Sequence, residues 1–382
     1  MGKLSTALAE HVPTVRGPKP LDRGDEAALE QLTGIGDTPV VRADLTIGAV
    51  RHEVLLKLEG ANPTGSVKAR TALSLVRDLH RRGLLTPGRR IVESSSGNLA
   101  VALAHVCRAL GIGFTAVVDP KITRENRSKL EQLGAELVMV GGPDPSQSYL
   151  GSRLEAVAEI CKRDPQCVWP DQYANPANPQ AHYLGTGPEL LLQAERKLDA
   201  VFVAASTGGT LCGVARYLRA ASPRTRVVGV DAVGSVIFGQ PSGPRLLVGI
   251  GSSQVPAFPM GGLIDESVLV SDEQAFRAVH QLHQSGVSVG GSSGAAFYAA
   301  ATYLQRFRET QRVAVICPDG GTNYASSLFS RDWLDEHGFD AADIIRGTQL
   351  PLPDQQYATV SVHSAPEPPP RAAMKRTTAM EN

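Results

Sequence analysis

Short runs rich in valine and isoleucine alternate along this sequence with longer stretches whose apolar residues recur at helical spacing, and the alternation repeats many times. A β-branched run reads as a buried strand and an amphipathic stretch as a helix, so the order implies α/β units with parallel strands. The spacing predicts strands at 53–58, 90–92, 113–118, 136–140, 200–204, 226–230, 267–270 and 312–316. Helices are predicted at 67–82, 98–110, 123–133, 148–163, 183–193, 210–220, 272–284, 293–307 and 326–337. With 382 residues, 42% of them hydrophobic, the chain can bury two sizeable cores. Residues 1–20 and the proline-rich tail from 349 to 382 lack such periodicity and are expected to lie outside the fold.

A formal net charge of zero offers no global attraction to nucleic acid or acidic membranes, which leaves small molecules as the expected partners. Neither a long apolar run nor an apolar core near Met1 is present, so membrane insertion and secretion are not expected and a cytoplasmic location is. The five cysteines, Cys107, Cys161, Cys167, Cys212 and Cys317, form no CxxC pair, so neither a disulfide framework nor a metal site is suggested.

Four turns carry chemistry. In LKLEGANPTGSVKAR, a strand passes through a polar turn into a helix that opens at Lys68. The positive end of a helix macrodipole there is expected to lower the amine's pKa and ready it to attack a carbonyl. Ser94-Ser95-Ser96-Gly97-Asn98 joins a strand to a helix with free N–H groups and hydroxyls, suited to a carboxylate or phosphate; an elaborate helix cap would look the same. Ser206-Thr207-Gly208-Gly209-Thr210 pairs two glycines with flanking hydroxyls, again before a helix, and is neither a Walker loop nor a dinucleotide fingerprint. In Gly290-Gly291-Ser292-Ser293-Gly294 a serine can face a neutral ring nitrogen, although close packing alone would also explain the small residues. Together, an amine for an aldehyde, two anion turns and a neutral hydroxyl describe pyridoxal 5'-phosphate.

The ordered motifs NPTGSVKAR, SSSGN, QYANPANPQAH, STGGT and GGSSGAA resemble those of the cysteine synthase family of fold-type II pyridoxal phosphate enzymes, over about Leu32 to Leu334. The resemblance implies an α/β, two-lobed, tryptophan synthase β-like fold with parallel-rich twisted sheets and helices on both faces. It implies a large cofactor domain from 21–58 and 172–340, a small substrate domain from 59–171, and a homodimer. Matched by motif, Lys68 is the Schiff-base lysine, Asn98 contacts the ring hydroxyl, and Ser206, Thr207, Gly208, Gly209 and Thr210 form the phosphate loop. Thr186 also approaches the phosphate, Ser292 faces the pyridine nitrogen, and Ser95, Ser96, Gly97 and Gln172 hold the substrate carboxylate. Ala69, where relatives often carry aspartate, and Ser94, in place of proline or threonine, depart from the pattern without removing a catalytic atom.

The segments ESSSGNLAVALA, VVDPKI, VDAVGSVIFG, VGIGSSQVP and SRDWL are more similar to the 2,3-diaminopropionate branch than to housekeeping cysteine synthases. That branch joins O-phospho-L-serine to the amino group of L-glutamate and gives N-(2-amino-2-carboxyethyl)-L-glutamate for siderophore or peptide-antibiotic pathways. The implied reaction is a β-replacement, with Lys68 as general base at Cα. Arg153 and Arg245 are candidates for the leaving phosphate, Tyr173 for covering the bound amino acid, and the Gly249–Gly251 turn for lining the acceptor's entrance. Two alternatives stay open: a cysteine synthase or O-phosphoserine sulfhydrylase using sulfide, and a silent scaffold that only binds a partner.

Overall fold

The computed structural model describes residue 32, residues 34–144 and residues 148–363. The strands among them are β1 (Val40–Ile47), β2 (Val50–Leu58), β3 (Arg90–Ser94), β4 (Gly113–Val118), β5 (Glu136–Met139), β6 (Cys167–Val168), β7 (Ala200–Ala204), β8 (Arg226–Ala232), β9 (Glu266–Val270), β10 (Arg312–Cys317), β11 (Leu350–Pro351) and β12 (Tyr357–Val362). They make two sheets. The smaller runs β5-β4-β3-β6 and is parallel throughout. The larger runs β11-β12-β1-β2-β10-β7-β8-β9, parallel from β2 to β9 and antiparallel at the edge that β11, β12 and β1 form.

All eight anticipated strands are present within a few residues of their predicted bounds. The α/β expectation is met for the same reason: β-branched runs such as Arg312–Cys317 are buried on both faces, as parallel strands flanked by helices must be. β1 was not anticipated, because VVRADLTI mixes charged and apolar residues. The alternate burial of its residues shows the period of two that a half-covered edge region tolerates.

The expectation that everything from 349 onward lies outside the fold is corrected. Tyr357–Val362 pairs antiparallel with β1, Ala43 opposite Val362 and Ile47 opposite Ala358, while Leu350 and Ala358 are fully buried. Proline and polar residues obscured this strand, whose N–H and C=O groups complete the ladder that β1 would otherwise leave open. Residues 364–382 and the expected loose segment 1–20 lie outside the described residues.

Among the helices, the predicted 183–193 element divides into a π turn, His182–Thr186, and a helix, Gly187–Gln193. The one predicted at 326–337 shrinks to Arg331–Glu336, and Ala177–Ala181 and Ala341–Arg346 were not foreseen. One core lies between helices Lys68–Arg81 and Asn98–Leu110 and the smaller sheet. A second is centred on helix Gly291–Leu304, buried at every position but Thr302. Its small residues permit this: a Cβ added at Gly294 would stand 2.3 Å from the Ala275 carbonyl oxygen. Truncating Phe297 there to alanine would destabilise by about 3–5 kcal/mol. Among the described residues no helix is long and apolar enough to cross a membrane.

Candidate active site

From the end of β2 the chain turns through Gly65, at φ +77°, and starts a helix at Lys68. The turn is pinned from across the molecule, since the Val67 N–H donates to the Pro318 carbonyl at 2.7 Å. Val67 is the cap residue and supplies no side-chain bond; the Ser66 hydroxyl accepts from the Lys68 N–H at 3.3 Å instead. Lys68 is partly exposed only toward the cavity it lines, and burial pushes its amine down to about 8. The shift has the expected direction with a different cause: desolvation of the ammonium, rather than the helix dipole.

Two residues on, Arg70 anchors this helix in a buried charge cluster. Its guanidinium donates to both oxygens of Glu59, at 2.7 and 2.9 Å, and to both oxygens of Glu189, each at 2.6 Å. Lys57, fully buried, donates to Glu189 at 2.8 Å, the Thr38 carbonyl at 2.7 Å and Gln193 at 2.8 Å. Two cations and two carboxylates thus balance, which is the condition for burying them at all.

At the end of β3, the Ser95 hydroxyl accepts from the N–H groups of Gly97 and Ala100, both at 3.3 Å, and opens helix Asn98–Leu110. The Ser96 hydroxyl donates to Asp119 at 2.8 Å and accepts from Arg153 at 3.2 Å. Behind the turn, Gln172 donates to the Ser94 carbonyl at 3.1 Å, and its own N–H goes to Glu93 at 3.1 Å. Burial pushes the Glu93 carboxyl up to about 7 although Trp169, Ser94 and Gln172 donate to it. Tyr173 lines the same cavity, its phenol pushed up to about 12 by burial.

The turn after β7 takes Gly208 through φ +83° into helix Gly209–Ala221. Gly209 is required by contact: an added Cβ would fall 2.1 Å from Asn178 Oδ1. Asn178 Nδ2 donates to the Thr207 hydroxyl at 3.2 Å and the Gln172 carbonyl at 2.8 Å, tying the glycine turn to the residue behind the serine turn. His182, fully buried, bridges Thr186 at 3.0 Å through Nδ1 and Thr210 at 3.3 Å through Nε2. Burial, with the charges of Lys68 and Arg70, holds its pKa well below the usual value, so a neutral ring links the hydroxyls. Thr186 therefore reaches the turn through His182 and does not itself line the cavity.

Ser292 stands in the first turn of helix Gly291–Leu304 and faces the cavity, with Gly249 at φ +80° close by: a Cβ there would lie 3.8 Å from the Tyr324 hydroxyl and 3.9 Å from Ser292 Oγ. Asn98 donates to Asp319 at 2.7 Å and accepts from Asn323 at 3.2 Å. Arg245 donates to the Gly234 carbonyl at 3.0 Å and borders the cavity, where burial lowers its pKa. Arg153 pairs with Asp119 at 3.2 Å, while its Nε is buried without a hydrogen-bond partner among the described residues.

One cavity of about 770 Å³ thus gathers Lys68, the 95–98 and 206–210 turns, Gln172, Tyr173, Gly249, Ser292, Arg153 and Arg245. Of the residues given a role at the cofactor or substrate by the resemblance, Thr186 alone stands behind it. Sequence reasoning missed Asn178 and His182, inside the QYANPANPQAH run, Asp119 and Lys121, inside VVDPKI, and Asp319 and Tyr324; the last four line the cavity. The residues suit an aldehyde-bearing, phosphorylated pyridine. Lys68 supplies an amine that sheds its proton near neutrality, the 206–210 turn lines the cavity at a helix N-terminus that suits an anion and packs so closely on Asn178 and Pro256 that only glycine fits at 208 and 209, and Ser292 offers a hydroxyl that need not protonate a ring nitrogen.

The family model described as pyridoxal-phosphate dependent enzyme matches residues 31–319. The chain is 42% identical over 301 residues to an N-(2-amino-2-carboxyethyl)-L-glutamate synthase of Ralstonia nicotianae, covering 78% of this chain and 89% of the relative. A protein of the same name from Cupriavidus metallidurans is 41% identical over 307 residues, covering 79% and 90%. Among solved structures, O-ureido-L-serine synthase superposes with a TM-score of 0.73 at 34% identity, covering 81% of this chain and 97% of that one. An amine, an anion cradle and a matched family model agree: the chain belongs to the pyridoxal-phosphate dependent enzyme family, with the fold-type II architecture, and is a β-replacement enzyme that uses pyridoxal 5'-phosphate.

Proposed function

We propose that this enzyme joins O-phospho-L-serine to the amino group of L-glutamate and gives N-(2-amino-2-carboxyethyl)-L-glutamate, a precursor of L-2,3-diaminopropionate for a siderophore or peptide antibiotic. The observation that carries the reading is the placement of Arg153 and Arg245 on the same cavity as Lys68 and both serine- and glycine-rich turns. A leaving phosphate brings charge that needs such donors. The names of the two relatives, both N-(2-amino-2-carboxyethyl)-L-glutamate synthases, support the product.

In this reading Lys68 holds the cofactor, the 206–210 turn and helix Gly209–Ala221 take its phosphate with Thr186 in support, Asn98 meets its ring hydroxyl, and Ser292 its ring nitrogen. Ser95, Ser96, Gly97 and Gln172 orient the donor carboxylate, Tyr173 covers it, and Gly249 lets the backbone come close to the acceptor. When bound, the cofactor supplies an electron sink that acidifies the donor's Cα–H. Lys68 Nζ takes that proton and later returns it. With a pKa of about 8, about a quarter of the amine is neutral at pH 7.5, against about a thousandth for an ordinary lysine. Arg153 and Arg245 receive phosphate as the Cβ–O bond breaks, and the acceptor's nitrogen then bonds to Cβ. A homodimer in the cytoplasm completes the proposal.

Mass spectrometry of the product from O-phospho-L-serine with glutamate, other amino acids and sulfide together tests it. A product carrying the glutamate skeleton is expected; cysteine alone would overturn the acceptor assignment in favour of a sulfhydrylase.

A further inference from the structure

Asp319 lies directly after β10, lines the cavity and is 2% exposed. One of its oxygens, Oδ2, accepts from Asn98 Nδ2 at 2.7 Å and from the Tyr324 hydroxyl at 2.6 Å. The other, Oδ1, is buried without a hydrogen-bond partner among the described residues. Gly290 makes the space for it: a Cβ there would stand 2.2 Å from Oδ1 and 2.4 Å from the Tyr324 ring. A carboxylate is an unambiguous acceptor, so it settles which way the Asn98 amide is turned. Asn323 confirms the sense by donating to Asn98 Oδ1 at 3.2 Å, and Lys129 in turn donates to Asn323 at 2.5 Å. With one Nδ2 proton held by Asp319, the other remains available to an oxygen in the cavity. The bond also crosses the molecule, because Asn98 follows a strand of the smaller sheet and Asp319 a strand of the larger one.

We propose that Asp319 is a positioning residue of the reaction: it fixes the donor orientation of Asn98 toward the cofactor's ring oxygen and thereby couples the smaller sheet's substrate turn to the cofactor seat. The inference rests on the proposed seating of the cofactor beside Lys68 and Asn98. Burial pushes the Asp319 carboxyl up to about 6 although Tyr324 and Asn98 donate to it and the Lys129 charge favours its ionised form. The other titratable groups near it are Cys317, which it helps hold protonated, and Lys68, whose turn meets it through the Ser66–Asp319 bridge. Below about pH 6 the carboxyl gains a proton at the unpartnered Oδ1, the bond from Asn98 to Oδ2 loses its charge assistance, and the hold on the amide weakens.

The test uses the cofactor-loaded wild type, Asp319→Asn, Asp319→Ala, Asn98→Ala and the Asp319→Ala/Asn98→Ala double variant. It reads the visible absorption of bound cofactor from pH 5 to 8 and the cofactor dissociation constant by titration of stripped protein. The wild type is expected to show a spectral step near pH 6 that Asp319→Asn, which keeps the shape without the charge, abolishes. Asp319→Ala should weaken cofactor binding about tenfold or more, as loss of a charge-assisted bond does. Asn98→Ala should do the same, with the double variant no worse than either single one, because the two side chains act as one unit. A step that persists in Asp319→Asn, or losses that add in the double variant, would overturn the inference. A wild type that takes up no cofactor at all would instead refute the seating on which it rests.

Discussion

Replacing Glu189 by glutamine should unfold the buried charge cluster's balance and with it much of the fold's reserve. Glu189 is 3% exposed and is the carboxylate shared by Lys57 and Arg70. Without its charge, Lys57 keeps only the neutral oxygens of Thr38 and Gln193, and Arg70 keeps Glu59. Removing one partner from a buried ion pair costs about 3–5 kcal/mol. At an unfolding entropy of about 0.7 kcal/mol/K for a chain of this size, a loss of about 4 kcal/mol lowers the melting temperature by about 6 °C. The assay is denaturant and thermal unfolding of cofactor-free protein, since bound cofactor would add its own stabilisation. Acid gives a second signature. Although burial alone would raise it, Arg70 and Lys57 hold the Glu189 carboxyl down at about 2 against an ordinary 4.5. A carboxyl depressed in the folded state stabilises above its unfolded value and loses that contribution as pH falls through its folded one. The gap between wild type and Glu189→Gln should therefore be full above about pH 4.5 and shrink toward pH 2. A difference under about 1 kcal/mol at pH 7, or one that ignores acid, refutes the assignment of a structural anchor beneath Lys68.

Three further outcomes follow from the site. Lys68→Ala should lose the visible band of bound cofactor and turnover by about three orders of magnitude or more, and the rate at which stripped wild type takes up cofactor should climb through a midpoint near pH 8, where burial places the amine; a midpoint near 10.5 would remove the desolvation account. Arg153→Met should raise the KM for O-phospho-L-serine about tenfold or more while leaving any slow use of an uncharged leaving group nearly unchanged; steady-state kinetics with both donors separates the two, and equal losses would reassign Arg153 to holding Asp119. Gly209→Ala would place a Cβ 2.1 Å from Asn178 Oδ1, so fluorescence titration should show cofactor affinity down at least about tenfold, with unchanged affinity disproving the cradle.

The sequence made the parallel core legible because its strands are nearly continuous apolar runs, and the site turns legible because glycine and hydroxyl residues there answer a local demand. β12 was illegible for a physical reason. Its apolar residues, Ala358, Val360 and Val362, occupy one face of a strand whose partner, β1, lies more than three hundred residues away in the chain, and proline and glutamine crowd the approach. Thr186 was matched by motif but its route through His182 depends on a π turn, a distortion that no spacing rule signals. The charge cluster was equally hidden: Lys57 is a single charge within the apolar run Val54–Leu58, and only the fold brings Glu189 to it.

The separation of the chain into two sheets explains why the chemistry assembles where it does. Ser95–Asn98 follows β3, Lys121 follows β4, Ser206–Thr210 follows β7, Asp319 follows β10, and Lys68 follows β2, which runs parallel to β10. All of these residues lie beyond the carboxyl ends of parallel strands, and the Ser95–Asn98 and Ser206–Thr210 turns open directly into helices whose first N–H groups have no partner within the helix, so each sheet presents a turn suited to an anion at that edge. The two edges face each other across the cavity, with Asn98 on one side bonded to Asp319 on the other. A change that only tilts the sheets, touching none of the turns, would then separate the Ser95–Asn98 turn, proposed to hold the donor carboxylate, from Lys68 while leaving the 206–210 turn, proposed to hold the phosphate, in place. Such a variant should raise the donor KM and, by parting Asn98 from Asp319, weaken cofactor binding no more than Asn98→Ala does, whereas Gly209→Ala should act on cofactor affinity through the 206–210 turn.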